Sequence, residues 1–237
     1  MLNDTKDGEV NRVDCTLVIP AYNEERRIRS LLKDISGFAG DLVFVCDGTD
    51  ATPEIIGSFA DDQPSLRIRC LTFPARLGKG GGVVAGMKAA ATSFVGYMDA
   101  DGSTSLSEME RLFDCLATAD GVIGSRWVPG SVLTVRQGFR RRVESRLFNL
   151  LVRLLFGLDY QDTQCGAKAF RKGAIDAVLS SVQSTGFEFD VELLWRLRRN
   201  GYRVVEVPIT WENRDESKVL TSDAREMLRG MLRLRFG

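Results

Sequence analysis

The chain has no histidine among its 237 residues. That excludes every Ser–His and Cys–His nucleophilic mechanism and every imidazole-ligated metal site. A bound metal must then be held by oxygen, which favours magnesium or manganese. A general base must be a carboxylate, lysine, tyrosine or cysteine. Cysteine is scarce and unpaired in pattern: Cys15, Cys46, Cys70, Cys115 and Cys165 are odd in number and none forms a Cys-x-x-Cys. A zinc site or disulfide framework is not expected. Cys15, Cys46 and Cys70 lie in or beside apolar runs, where free cysteine behaves as a small hydrophobe, as in a reducing compartment. No apolar run approaches the ~18–20 residues needed to span a bilayer, and the polar first dozen residues lack a signal-peptide pattern. Lys+Arg and Asp+Glu are both 32, so net charge is zero and points to neither nucleic acid nor membrane. The expectation is a cytoplasmic protein with no nucleic-acid partner, unless it lies on a membrane surface.

With 44% hydrophobic and 27% charged residues, the chain is expected to fold as one large domain or two small ones. Residues 1–12 are polar and read as a loose tail. The continuous apolar run Cys15–Pro20 and the segment Leu42–Cys46 read as buried strands, and Leu66–Leu71, Phe94–Met98 and 122–124 as further strands. Amphipathic or capped segments alternate with them: from Asn23 to about Ser36, from Thr52-Pro53, 83–91 after a glycine-rich loop, and after Ser105 or Ser107. Such alternation predicts a mostly parallel central sheet with helices on both faces. The second half is less regular, with helices expected at 139–156, 173–181, 188–199 and 223–235 and strands at 167–170 and 204–208. No linker divides residues 13–237.

Tyr97-Met98-Asp99-Ala100-Asp101-Gly102-Ser103-Thr104 is the most informative stretch. An apolar run ends in two carboxylates one residue apart, which on a strand point the same way. At the carboxyl end of a strand, where open α/β sheets bind ligands, both can reach one hard cation, or a diphosphate through it. A solvated Asp-Gly turn is the alternative. Asp47 closes the second strand in the same manner and can accept from a base or a ribose hydroxyl. Arg76-Leu-Gly-Lys-Gly-Gly-Gly82 joins strand to helix, where an anion is favoured, with Lys79 as a point charge. Gly80-x-Gly82-x-x-Ala85 also satisfies a dinucleotide fingerprint, so a nicotinamide-binding oxidoreductase is a rival. Over 139–156, Phe139, Val143, Leu147, Leu150 and Leu154 form an apolar face, and Arg142, Arg146, Asn149 and Arg153 a polar stripe. That pattern suits either an anionic membrane surface or a core helix with a solvated basic face. Arg214 and Lys218 lie in a charged loop able to close over a diphosphate.

In this order, these motifs resemble the GT-A glycosyltransferases of family 2, and within it the dolichyl-phosphate glucose or mannose synthases. The carrying segments are Val18-Ile-Pro-Ala-Tyr-Asn-Glu-Glu25, Asp47-Gly-Thr, Leu77-Gly-Lys-Gly, Asp99-Ala-Asp-Gly-Ser-Thr104, Gly124-Ser-Arg126, Asp162-Thr-Gln-Cys-Gly166, Phe187-Glu-Phe-Asp-Val-Glu192, Glu206-Val-Pro208 and Ser217-Lys218. Arg141-Arg142 with Ser145 and Asn149 also match. The Asp162 segment and the Asp-Ala-Asp-Gly form look closest to the glucosyltransferase branch. The resemblance implies a single GT-A domain, with a donor part at about 13–104 and an acceptor part at about 105–237. It implies inverting, Mg2+- or Mn2+-dependent transfer of glucose or mannose from a UDP- or GDP-hexose to a polyprenyl monophosphate. A sugar acceptor is the alternative, with Glu188, Asp190 or Glu192 as base. By position, Pro20, Tyr22, Glu24 and Asp47 line base and ribose, and Asp99 and Asp101 hold metal and donor. Arg126, Arg141 and Arg142 meet the acceptor phosphate, and Arg214 and Lys218 close on the phosphates. The protein would be peripheral on the cytoplasmic face of an anionic membrane, with or without a separate anchoring partner. Cys46 stands where the family has the first of two acids, and Ala167 where it has phenylalanine.

Overall fold

A computed structural model describes residues 10–134, 139–212 and 221–236; for 139–147, 221–226 and 228 it describes the backbone alone. In chain order the elements are β1 (Cys15–Ala21), α1 (Ile28–Asp34), β2 (Asp41–Cys46), α2 (Thr52–Asp62), β3 (Arg67–Thr72), α3 (Gly78–Ala89), β4 (Phe94–Tyr97), α4 (Leu106–Cys115), β5 (Gly121–Ser125) and β6 (Val132–Leu133). There follow α5 (Phe139–Phe156), β7 (Lys168–Arg171), α6 (Lys172–Leu179), α7 (Phe189–Arg199), β8 (Val204–Pro208), β9 (Thr210–Trp211) and α8 (Thr221–Phe236).

Seven strands form one sheet in the order β3-β2-β1-β4-β7-β5-β8. All are parallel except β7, which runs antiparallel between β4 and β5. The mixed, mostly parallel α/β sheet is the one expected from the strand–helix alternation. Its centre is apolar on both faces: Leu17, Val18 and Ile19 of β1 and Leu42, Val43 and Phe44 of β2 are fully buried. Helices covering both faces of a parallel sheet require this. The parallel pair β6–β9 is a second, two-stranded sheet that the apolar pattern does not signal, because each strand is only two residues long.

Three local expectations are corrected. The first helix begins at Ile28, not after Asn23, because residues 24–27 form a turn in which the N–H groups of Arg27 and Ile28 both donate to the Glu24 carbonyl. Thr52 does not cap α2; it lies within the first turn, its hydroxyl donating to Asp50 at 2.6 Å and accepting from the Glu24 N–H at 2.9 Å. The glycine-rich run is not a loop before a helix at Val83. It is the first turn of α3, which starts at Gly78. A side chain at Gly80 would lie 2.5 Å from Cβ of Phe189, and one at Gly86 would lie 2.2 Å from a methyl of Val18. These glycines let α3 sit tightly between the sheet and α7.

Candidate functional site

The carboxyl ends of β1, β2 and β4 lie side by side and bring the expected donor residues to one edge of the sheet. At the end of β1, Asn23 has a positive φ of 54°, and its side-chain oxygen accepts from the Thr49 N–H at 2.8 Å. Gly48 is needed there, since a Cβ would lie 2.3 Å from that oxygen. The turn holds the β1 and β2 loops together. Pro20 packs on Gly82, and the Arg76 guanidinium stacks 4.1 Å above the Tyr22 ring. Glu24 is buried and takes the Arg27 fork at 2.8 Å on each carboxylate oxygen. Asp47, also buried, accepts from the N–H groups of Leu77 at 2.8 Å and Gly78 at 3.2 Å.

The start of α3 was expected to present free N–H groups to an anion. Instead, Asp47 takes two of them, and the Thr185 carbonyl accepts from Gly80 at 2.8 Å and Gly81 at 3.3 Å. Gly78 adopts φ 75° under the same carbonyl. Four N–H groups at this helix end are therefore taken from within, and Gly80 and Gly82 of the dinucleotide fingerprint pack against Phe189 and Pro20. What α3 offers the site is the Lys79 side chain. Its ammonium lies 3.1 Å from Asp99 and 3.3 Å from Asp190. Burial by itself would lower the Lys79 pKa, but Asp190 and then Asp99 outweigh it and raise it above the ordinary lysine range.

The β4 ladder continues one residue beyond Tyr97, through the Met98 N–H to the Val18 carbonyl, and Asp99 follows Met98. Asp101 turns back to accept from the Ser103 N–H at 2.9 Å. Burial, and next the negative charge of Asp99, raise its pKa, while Arg27 acts in the opposite sense. Gly166 lies directly against the Asp99 carboxylate, with no room for a Cβ. The Asp162–Gly166 loop thus forms the wall beside Asp99.

Arg126 closes β5 and points into this wall. Its fork meets both oxygens of the fully buried Asp162, at 2.7 and 2.8 Å, and its N–H donates to the same group at 3.0 Å. The guanidinium also lies 5.4 Å from the Trp211 ring centre. Burial opposes its charge, but Asp162 leads the groups that sustain it, with Asp99 contributing. Glu206 in turn accepts from the N–H groups of Gln161 and Asp162, each at 2.7 Å, and Asn149 of α5 accepts from the Thr163 hydroxyl at 3.0 Å and its N–H at 3.3 Å.

Behind Lys79 lies a buried network that ties Asp190, one of the three candidate bases, to Tyr97 and Lys168, to neither of which the motifs assign a role. Asp190 accepts from the Tyr97 hydroxyl and from Lys168 at 2.5 Å, and Lys168 also donates to the Cys165 carbonyl at 2.5 Å. Asp190 and Glu192 are fully buried, and Glu192 accepts from Ser184 at 2.7 Å and Arg196 at 2.7 Å. The signal for this network is a lysine inside the apolar run 167–170 and an aspartate between Phe189 and Val191. Side chains of Arg141 and Arg142 lie outside the described residues, as do Arg214 and Lys218 altogether.

The family model described as Glycosyl transferase family 2 matches residues 16–179. The chain belongs to glycosyl transferase family 2. It is a glycosyltransferase similar to polyprenyl-phosphate hexosyltransferases. It is 35% identical over 223 residues to a polyprenol monophosphomannose synthase of Mycolicibacterium smegmatis, covering 90% of this chain and 83% of that protein. It is 30% identical over 260 residues to a dolichyl-phosphate beta-glucosyltransferase of Saccharomyces cerevisiae, covering 99% and 77%. Glycosyltransferase AglD of Haloferax volcanii is 35% identical over 218 residues; 87% of this chain matches, but only 34% of AglD's own length. Among solved structures, the mannosyltransferase PcManGT of Pyrobaculum calidifontis, in complex with GDP-Man and Mn2+, superposes with a TM-score of 0.66 over 96% of this chain and 66% of that one. At 18% identity that likeness carries the α/β fold alone.

Proposed function

We propose that this family 2 glycosyltransferase moves a hexose, with inversion, from a UDP- or GDP-hexose to a polyprenyl monophosphate of the dolichyl type. The observation that carries this is the Asp99–Asp101 pair, with Lys79 beside it, at the sheet edge where β1, β2 and β4 end. Relatives named for transfer to polyprenol and dolichyl phosphate support the acceptor class.

The residues present fit a hard divalent cation. Both acids offer only oxygen, and they lie two residues apart at the carboxyl end of β4, Asp99 with its side chain 40% exposed. Among the described residues no third acid joins them to complete a protein-only cage. Mg2+ or Mn2+ would be held by Asp99 and Asp101, with diphosphate oxygens and water for the remaining positions. Such an ion supplies neutralisation of the departing nucleotide diphosphate.

The chain's own residues position and stabilise charge. Pro20, Tyr22, Glu24 and Asp47, in the 13–104 part, are assigned to base and ribose. Lys79 adds a fixed positive charge at the diphosphate, and Arg214 and Lys218 close over it. In the 105–237 part, Arg141 and Arg142 are assigned to the acceptor phosphate. Arg126 contributes its charge there from a fixed place, since Asp162 already holds its fork. A phosphate monoester has its second pKa near 6, so it attacks as a dianion and needs no strong base. That suits a chain without histidine. A hydroxyl acceptor would need one, and two of its three candidate bases, Asp190 and Glu192, are buried and paired.

The test is a screen of labelled UDP-glucose, GDP-mannose and other nucleotide hexoses against polyprenyl phosphates, with Mg2+ or Mn2+. The expected product is a lipid-linked monohexose formed from one donor and abolished by chelation. Transfer to a free sugar with none to lipid phosphate overturns the proposal.

A further inference from the structure

Lys79 is anchored from behind. Asp190 is wholly buried; its Oδ1 receives Lys168 and the Tyr97 hydroxyl, while its Oδ2 faces Lys79 at 3.3 Å. The same ammonium lies 3.1 Å from Asp99 Oδ1. Four charges therefore alternate along one line, Lys168–Asp190–Lys79–Asp99, and sum to zero. Three of them are shielded, the Lys79 side chain being 13% exposed; Asp99, at 40%, is the end that meets solvent. Asp190 Oδ2 has no hydrogen bond of its own among the described residues. Withdrawing Lys79 would leave that oxygen buried with no cation opposite it, Lys168 alone remaining to balance the carboxylate from its other oxygen.

We infer that Lys79 is a resident counter-ion of Asp99, which makes the site take up a divalent cation and the nucleotide diphosphate together rather than one after the other. The inference rests on Asp99 and Asp101 being the cation's ligands. A lone divalent ion must share Asp99 with an ammonium seated between two carboxylates and shielded from solvent, so like charges oppose its entry. A diphosphate brings the negative charge that both cations share. Linkage makes the effect reciprocal: the nucleotide tightens the metal by the same factor as the metal tightens the nucleotide.

The test is equilibrium binding to the full chain. Free Mn2+ is followed by electron paramagnetic resonance, with and without UDP or GDP, and nucleotide affinity by calorimetry, with and without Mn2+. In the unaltered protein, nucleotide should tighten Mn2+ by a factor in the range of about 5–150 typical of coupled sites. Lys79→Gln removes the charge but keeps a hydrogen-bond donor between the two carboxylates. It should bind Mn2+ alone more tightly than the unaltered chain does, and the nucleotide enhancement should fall toward one. Lys79→Arg keeps the charge and should keep the enhancement. Equal Mn2+ affinity with and without nucleotide in the unaltered protein overturns the inference without recourse to any variant. So does an undiminished enhancement in a folded Lys79→Gln protein. No Mn2+ binding with either nucleotide instead overturns the assignment of Asp99 and Asp101 as metal ligands.

Discussion

Asp190 lies behind Lys79 and Asp101 lies near Asp99 in front of it, and their surroundings drive the two carboxylates in opposite directions. Burial and Asp99 raise the pKa of Asp101, whereas Lys168 and then Lys79 overcome the burial of Asp190 and lower its pKa. Asp101 accepts one local hydrogen bond, from Ser103, and fills no core position. Asp101→Ala is expected to abolish metal-dependent transfer with an unchanged unfolding midpoint; near-normal turnover with Mg2+ or Mn2+ present would remove it from the metal site. Asp190 has a structural consequence. Its folded pKa lies below the ordinary value of about 3.9, so its stabilisation is complete above that value and is lost as pH falls through the folded pKa. Asp190→Asn leaves Lys168 buried without its carboxylate and is expected to cost about 3–5 kcal/mol at neutral pH. The penalty should shrink as the solution is acidified below about pH 4, where the unaltered protein loses the same interaction. Urea unfolding at both pH values measures this, and an equal penalty at each would contradict the ion-pair origin. For the acceptor, Arg142→Ala is expected to lose one charge-assisted contact of about 1.5–3 kcal/mol, or roughly tenfold or more in use of lipid phosphate. Nucleotide affinity by calorimetry should not move, and an equal loss there would assign Arg142 to the donor instead.

Helix α3 shows how packing decides what local preference does not. A glycine in a helix interior is worse than alanine by about 1 kcal/mol, so four glycines between Gly78 and Gly82 speak against helix from sequence alone. The close approach of the 184–185 backbone and Phe189 to Gly78 and Gly80, and of Pro20 to Gly82, explains three of them, and none of that is local in sequence. Gly86→Ala should therefore destabilise despite its better propensity, since overpacking a filled site costs about 1–3 kcal/mol. Gly57→Ala in α2, where a Cβ meets nothing within 4 Å, should stabilise by about 0.5–1 kcal/mol. Urea unfolding of the two proteins compares them directly; the same sign for both would mean the α3 contacts relax freely. Strands β1, β2, β4 and β5 are legible because each is a continuous apolar run feeding a parallel sheet. The direction of β7 is not, since its side-chain pattern is the same whichever way it runs, and Lys168 at its start is explained only by Asp190, 22 residues later. In α5 the helix is legible but its orientation is not. Asn149, Val152 and Phe156 face inward, because Asn149 holds the 162–166 loop. Leu150 and Leu154, which read as part of an apolar face, are turned outward. Asp99, Asp101 and Lys79 could be found from motif and spacing, whereas the Asp162 clamp on Arg126 and the sealing of α3 by Thr185 depend on contacts across the fold.

The whole molecule has zero net charge, yet its surface is not uniform. The carboxyl-terminal ends of α5 and α8 meet: Arg235 donates to the Leu155 carbonyl at 2.8 Å, and a cleft there is lined by Leu154, Phe156, Trp195, Arg199 and Arg235. On these two ends Leu154 is 75% exposed and Phe236 73%, with Leu150 and Leu232 also exposed. Single exposed apolar residues need no explanation, but several beside a cluster of arginines do. No helix among the described residues is long and apolar enough to cross a membrane. The proposed acceptor, however, is held in a bilayer by its hydrocarbon chain, so the acceptor site must come to the lipid surface. An anionic leaflet would suit both halves of the patch: apolar side chains would enter the interface, and each nearby arginine would contribute roughly 1 kcal/mol. Sedimentation with anionic vesicles is expected to bring the protein down at low salt, with release as ionic strength rises through the screening range. Leu154→Glu with Phe236→Glu, both exposed and free of core contacts to lose, should abolish sedimentation while leaving UDP or GDP binding intact. Sedimentation unchanged by the pair would place the lipid-facing surface elsewhere on the domain. No sedimentation of the unaltered protein, with or without polyprenyl phosphate in the vesicles, would mean that a separate membrane partner must present the acceptor.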